Sequence, residues 1–394
     1  MSKVGVERAK ILIIGGGIIG SAVAFFLGKR GVGVDVVVVD PDPTYARAAT
    51  PAAAGGIRRI MSRPENILMS QFSIEFYANI ATELEMDIDI GFKRQGYLFL
   101  DDAKGAADLE YNYQTQHSLG VDVKLLDAHA LQNVFPSIGV KNVAIACYSP
   151  KDAWIDPQAA MLALRCKAEK LGVTYVKDRV VGLETRAAAV KAANLASGST
   201  IQADFFVNCA GAWVSEIAAL TGASLPVQPM CRVQHYWLAE DNIEPLPLVK
   251  DGTGVFFRPE GEGFVGGCPS FEIAPGFNWD IDRGYFADYF ESVVWALLAN
   301  MVPKFESIKL QNQWGGHYAQ NIFDGNMIIG KYSPKHENII TAGGFSGHGI
   351  MHAPAVGRAI AELCLDGEFQ TIDLTRFGFQ RILDNAPYAE IGIR

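Results

Sequence analysis

The chain has 394 residues, 49% of them hydrophobic and 20% charged, with a net charge of −9. That length exceeds what one small core organises and predicts two domains. The acidic balance, without a basic run or an interleaved aromatic stripe, argues against nucleic acid as a partner. Six cysteines form no CxxC pair and no disulfide or zinc pattern, so free thiols in a reducing compartment and no metal are expected.

Residues 11–28 carry no charge over about the length of a membrane span. Five of these residues are glycines, and a Val/Asp strand follows, so a span is rejected. The first eight residues lack a signal-peptide pattern. The expectation is a cytoplasmic protein with no transmembrane segment; peripheral membrane contact and homo-oligomerisation stay open.

The apolar strand 11–14 runs into Gly15-Gly16-Gly17-Ile18-Ile19-Gly20, which opens a helix. A second apolar strand, 34–39, ends at Asp40, twenty residues after Gly20. This order is the fingerprint of a dinucleotide-binding unit. Gly15 permits the tight turn, Gly17 lets a pyrophosphate approach backbone, and Gly20 lets helix pack on strand. The helix start offers free N–H groups to phosphate, and the carboxylate of Asp40 suits a ribose.

A small-sided stretch, 46–56, follows. The apolar spacing of Ile67, Leu68, Phe72, Phe76 and Ile80 predicts a helix over 65–84. Residues 97–100 read as a strand and 107–117 as a polar helix. Asp156 caps a predicted helix over 157–170. Strands are expected at 173–176 and 180–183. Residues 205–213 read as a strand breaking at glycine into a helix.

From 226 to 323 the texture becomes aromatic, with strands expected near 235–238, 254–258 and 263–266 and a helix over 281–298. Residues 339–344 are again a strand into glycine, followed by a helix over 353–365. The nucleotide domain is therefore expected from three segments, 1–90, 150–225 and 324–394. A substrate domain is expected from 91–149 and 226–323. The predicted fold class is α/β, a Rossmann-like domain interleaved with an antiparallel-sheet domain.

Taken together, Gly15 to Gly20, Asp40, Ala53-Ala54-Gly55-Gly56-Ile57-Arg58, Val207-Asn208-Cys209-Ala210-Gly211-Ala212-Trp213 and Gly344-Phe345-Ser346-Gly347-His348-Gly349 resemble the D-amino acid oxidase-like flavoprotein superfamily. The glycine/sarcosine oxidase and dimethylglycine dehydrogenase branch is the nearest in pattern. The resemblance implies FAD as cofactor. Its expected contacts are Gly15, Gly17, Ile18, Ile19, Gly20, Asp40 and Pro41, then Ala54, Gly55, Gly56 and Val180. Further contacts are expected from Ala210, Gly211 and Trp213, and from Gly344, Gly347, His348, Gly349, Ile350 and Met351. The last helix start would face the flavin ring and stabilise charge on its reduced form.

The implied chemistry is oxidation of a C–N bond in an amino-acid-like substrate, with O2 or an electron-transfer partner as acceptor. Arg58 is the expected carboxylate anchor, because a guanidinium fork matches that group; Arg59 is its alternate. Arg258 is a second candidate, set against pairing with Glu260 or Glu262. His348 and His317 are candidates beside the ring. The positions that carry covalent FAD in the family lack their histidine and cysteine here, so non-covalent FAD is expected. Met351 stands where sarcosine oxidases have lysine, which implies a larger or more apolar substrate. Lys250 reads as a solvated loop lysine, against the alternative of an oxygen-activating one. Tyr236, Trp237, Phe256, Phe257, Trp279 and Trp314 are candidates for a pocket wall, set against a core role. Two other functions fit the pattern: oxidation of a 2-hydroxy acid, with His348 or His317 as base, and an assembly factor with a structural flavin.

Overall fold

The computed structural model describes residues 6–269, 273–280, 283–333 and 335–392. The first five residues, and Ile281, where the sequence places a helix start, lie outside them.

The chain begins with strand β1 (Arg8–Ile14), helix α1 (Ile18–Lys29) and strand β2 (Val36–Asp40). The last four residues of β1 and the first four of β2 are apolar and buried, as strands covered on both faces must be, while Arg8 and Lys10 at the start of β1 are exposed. β1 lies at the centre of an eight-stranded sheet. It pairs in parallel with β2 on one side and with strand Thr200–Asn208 on the other. Strand Thr174–Lys177 extends the parallel array beyond β2. Strand Ile339–Gly343 extends it beyond Thr200–Asn208. Three chain segments thus build one sheet.

A helix runs over Gly349–Leu365 and crosses α1 closely: a Cβ on Gly357 would lie 2.7 Å from Ala22. This helix starts four residues earlier than its pattern suggests and contains Pro354. Proline has no N–H, so the carbonyl four residues back loses its helical partner. That carbonyl belongs to Ile350, and the buried Tyr77 hydroxyl donates to it at 2.9 Å. Tyr77→Phe should therefore lower stability by about 1–3 kcal/mol, the cost of one unsatisfied buried acceptor. A thermal unfolding midpoint equal to wild type would contradict this.

Tyr77 lies on helix Pro64–Ala78. The single helix expected over 65–84 is broken at Asn79 and resumes as Ile80–Leu84. Leu68, placed on the apolar face by spacing, is 38% exposed. Helix Pro157–Lys170 matches its expected bounds, and the Asp156 carboxylate accepts from the N–H groups of Gln158 and Ala159.

A second eight-stranded sheet joins segments far apart in sequence. Strand Leu248–Asp251 pairs in parallel with Tyr97–Asp101, an exception to the antiparallel pattern expected here. Strand Val227–Ala239 pairs along its whole length with Ile308–Asn321, a strand the sequence pattern did not reveal. Trp237, Phe257 and Phe305 pack edge to face in this half of the molecule. These three are core, so two of the six wall candidates, Trp237 and Phe257, belong to it; Tyr236, Phe256, Trp279 and Trp314 are half-buried. Among the described residues, no helix is long and apolar enough to cross a membrane.

Candidate functional site

A cavity of about 1410 Å³ lies where the two sheets meet, larger than the ~300–1,000 Å³ typical of small-ligand sites. Residues of the first glycine turn line one end. Gly15 has φ +99°, and a Cβ there would sit 2.5 Å from the Cys209 carbonyl. Gly17 is uncrowded, the nearest atom to a hypothetical Cβ being Thr50 Oγ1 at an ordinary contact distance of 3.8 Å. α1 has no side-chain cap at its start. The Asp40 carboxylate accepts from the N–H groups of Gly16 at 2.7 Å and Asp42 at 2.9 Å, so it fixes the turn. Burial raises its pKa, and those N–H groups oppose the rise. A carboxylate has about four acceptor sites, so capacity remains for a ribose.

Pro41, Ala54, Gly55, Gly56 and Val180 line the cavity, as do Ala210, Gly211 and Trp213. Gly347, His348, Gly349, Ile350 and Met351 line it at the start of the last helix. Gly20 and Gly344 do not. A Cβ on Gly20 would meet the Gly15 carbonyl at 1.9 Å, and one on Gly344 would meet Val227 at 3.0 Å. Both glycines serve close packing behind the wall. The cradle fits a dinucleotide: open backbone at Gly17, an uncapped helix start and a carboxylate with spare acceptors.

Farther along, Arg58 is 4% exposed. It follows the short strand Gly56–Ile57, and its guanidinium donates to the Ile60 carbonyl at 3.2 Å and to His348 Nε2 at 3.1 Å. Arginine only donates, so His348 Nε2 accepts and its proton sits on Nδ1. That Nδ1 is buried without a partner. Burial, then the Arg58 charge, hold His348 neutral, its pKa well below the ordinary histidine value. Burial also lowers the Arg58 pKa, so an anion beside it would be stabilising.

Arg59 does not interchange with Arg58. Its N–H and Nε bind the two oxygens of Asp152 at 2.9 and 2.7 Å, and that carboxylate is fully buried. Arg258 lies outside the cavity lining. It donates to the Ala54 carbonyl at 2.7 Å and pairs with Glu260, which holds the 52–54 loop rather than a ligand. His317 does line the cavity. Its Nε2 accepts from the Asn278 N–H at 2.8 Å, and its ring packs 4.2 Å from Trp279. Burial lowers its pKa.

Lys250 corrects the sequence reading. It sits on strand Leu248–Asp251 and faces the cavity, not a solvated loop. Burial, then the Arg58 charge, push its ammonium down to about 7. Of the candidate wall aromatics, Phe256 lines the cavity; Tyr236, Trp237, Phe257, Trp279 and Trp314 are not among its lining residues. Sequence reasoning also missed Glu390 and Ala389, which line it from the chain's last residues. Glu390 is held by the N–H and hydroxyl of Ser62 and by Asn66, at 2.5–2.7 Å. No local signal marks that tail, since its contacts lie more than 300 residues away in sequence.

Comparison with known proteins places this arrangement. A family model described as "FAD dependent oxidoreductase", DAO, matches residues 10–363. The chain is 38% identical to the FAD-dependent oxidoreductase domain-containing protein 1 of Xenopus laevis, over 98% of this chain and 85% of that protein. It is 27% identical to human mitochondrial dimethylglycine dehydrogenase, over 94% of this chain but 45% of that protein. Among solved structures it resembles an L-proline dehydrogenase from P. horikoshii, with a TM-score of 0.82, 25% identity, and coverage of 97% of this chain and 100% of that one. The chain belongs to the DAO family of FAD-dependent oxidoreductases.

Proposed function

We propose that the protein oxidises the C–N bond of an amino acid or N-alkyl amino acid to an imine, which water hydrolyses. The observation that carries this reading is the pairing of the buried Arg58 guanidinium with a neutral His348 at the cavity wall. When bound, FAD supplies the hydride acceptor. The contacts named above at Gly15, Gly17, Asp40 and Gly347–Met351 would hold it. Relatives point the same way: dimethylglycine and proline, named in two of them, both carry nitrogen beside a carbon that bears a carboxylate.

Arg58 binds the carboxylate through a charge-assisted contact and fixes which carbon faces the cofactor. Its approach to His348 Nε2 occupies that lone pair, and the proton sits on Nδ1. His317 is occupied in the same way by the Asn278 N–H. Neither imidazole has a nitrogen available to take a proton from an alcohol, which favours an amine donor over a 2-hydroxy acid. An amine that binds neutral needs no such base. Met351 and Phe256 supply an apolar surface beside it.

Lys250 adds a charge that changes near neutral pH. It is protonated below about pH 7 and neutral well above it. A bound carboxylate is attracted to the charged form, so affinity falls as pH rises through that value. Titration with acetate, followed by flavin absorbance, should weaken between pH 6 and 8 in the wild type; Lys250→Met should flatten the profile. A flat wild-type profile would contradict this role.

We also propose that FAD is held without a covalent bond. The thiols that line the cavity, Cys209 and Cys268, are shifted by burial toward their protonated, unreactive form. Acid precipitation should release all flavin to the supernatant; yellow pellet would show a covalent link. The reaction itself is tested by supplying free and N-methyl amino acids with an artificial electron acceptor. A carbonyl product is expected. Consumption of a 2-hydroxy acid without turnover of any amine would replace the reading.

A further inference from the structure

An amine oxidised at this site must be neutral, yet an α-amino acid in water near neutral pH carries an ammonium. Its nitrogen then has no lone pair with which to form a C=N bond, so a proton must first be removed. Neither His348 nor His317 is placed to take it, since Nε2 of each is already met by a donor. Glu390, a carboxylate in the cavity wall, accepts from Ser62 and Asn66 through both of its oxygens. Lys250 lies next to the anchor and is not engaged in that way.

Lys250 pairs across the sheet with Phe99 on one side and Phe256 on the other. Residues directly across a ladder share a face, so its side chain stands between two phenylalanines. The Arg58 guanidinium lies over the ring of that same Phe99, 4.9 Å from its centre. Anchor and lysine therefore meet at one ring, with the Phe99 and Lys250 backbones one strand spacing, ~4.8 Å, apart. Both Arg58 and Lys250 line the cavity. Asp251, the next residue, points to the opposite face, and its Oδ1 accepts from the N–H and hydroxyl of Thr253. Among the described residues, Lys250 has no hydrogen bond and no ion pair. The titratable groups around it are Arg58, Asp251, the Cys268 thiol and, from the last helix, His348. Burial keeps that thiol protonated and that imidazole neutral. Burial of Lys250 and the Arg58 charge, the two largest influences on it, both favour the neutral amine.

We propose that Lys250 is the base that takes the proton from the substrate's ammonium. This rests on the amine-oxidising reading above. An α-amino acid bears its nitrogen on the carbon that carries the carboxylate, so a carboxylate on Arg58 brings the ammonium to the ring that Lys250 flanks. In the transfer an N–H bond of the ammonium breaks and an N–H bond at Nζ forms, with no change of oxidation state. The carbon beside nitrogen then gives its hydrogen, with both bonding electrons, to the flavin, and the freed lone pair closes the C=N bond. Nζ returns its proton to water as product leaves. The two roles of Lys250 divide by pH: charged, it attracts the carboxylate; neutral, it accepts the proton. Arginine in its place could fill the first role but not the second, because a guanidinium stays protonated.

The test is the limiting rate at which N-methyl amino acids bleach flavin-loaded protein without oxygen, so that reoxidation stays out of the readout. In the wild type this rate should rise about tenfold between pH 6 and 8, as Lys250, with a pKa of about 7, loses its proton. Lys250→Met should be slower by tenfold or more at pH 8, its rise moved up to the pH at which the substrate's own amine loses its proton. Lys250→Arg should keep acetate affinity at every pH yet bleach as slowly as Lys250→Met, which separates a base from a carboxylate contact. An N-trifluoroethyl amino acid, whose weakly basic amine is already neutral at pH 8, should narrow the gap between wild type and both variants. Equal flavin content per protein shows that the fold is retained. Coinciding pH profiles for wild type and Lys250→Met, or a Lys250→Arg variant as fast as wild type, overturn the proposal. If the variants oxidise N-methyl amino acids unimpaired, the base role alone falls. If no amine bleaches the wild type, the underlying reading falls and this one with it.

Discussion

Gly20→Val should yield protein without flavin. The reason is steric and local: the Gly20 Cα faces the Gly15 carbonyl so closely that a Cβ would be 1.9 Å away. Valine must push the turn off α1, and the turn carries the Gly16 N–H that holds Asp40. Backbone approach and carboxylate would be lost together. Gly17→Ala separates the two effects. Its Cβ would make only an ordinary contact, 3.8 Å from Thr50 Oγ1, so the fold should persist while FAD binds more weakly. Visible absorbance per protein and the thermal midpoint read both outcomes. Gly20→Val protein with wild-type flavin content would contradict the role given to this turn.

Arg58→Ala should raise KM for the substrate by about tenfold to a hundredfold, the equivalent of the ~1.5–3 kcal/mol of a hydrogen bond to a charged group. It should also release His348 Nε2, whose contact to Arg58 is 3.1 Å. Removal of the adjacent charge raises the His348 pKa, since that charge helps to lower it. Arg58→Lys keeps a charge but loses the fork and should recover part of the affinity. The neighbouring Arg59 cannot substitute, because both Asp152 oxygens hold it. An unchanged KM in Arg58→Ala would remove this residue from the site.

These two residues also mark what the sequence makes legible. A glycine turn between an apolar strand and a helix, with Asp40 ending the next strand, is a local pattern whose physics is local. The Asp156 cap and its helix belong to the same class. Gly20 and Gly344 show the limit: a glycine needed for packing and one needed for a ligand read alike. Lys250 shows a second limit. Its strand has four residues and is defined by pairing with Tyr97–Asp101, some 150 positions earlier, so the local sequence resembles a loop. Strand Ile308–Asn321 lacks a clean alternation because much of its stability comes from pairing with Val227–Ala239. Gln234 and Glu390 enter the cavity only through such long-range register and tail contacts.

Amine oxidation at the flavin site, with Arg58 as carboxylate anchor, is the reaction proposed. Anaerobic mixing of flavin-loaded protein with N-methyl and free amino acids, followed in the visible, tests it most directly. The account predicts bleaching by at least one such donor, slowed by deuterium on the carbon beside nitrogen and weakened in its concentration dependence by Arg58→Ala. Flavin that stays oxidised with every amine, or that is bleached equally well by the Arg58→Ala variant at every donor concentration, would contradict it.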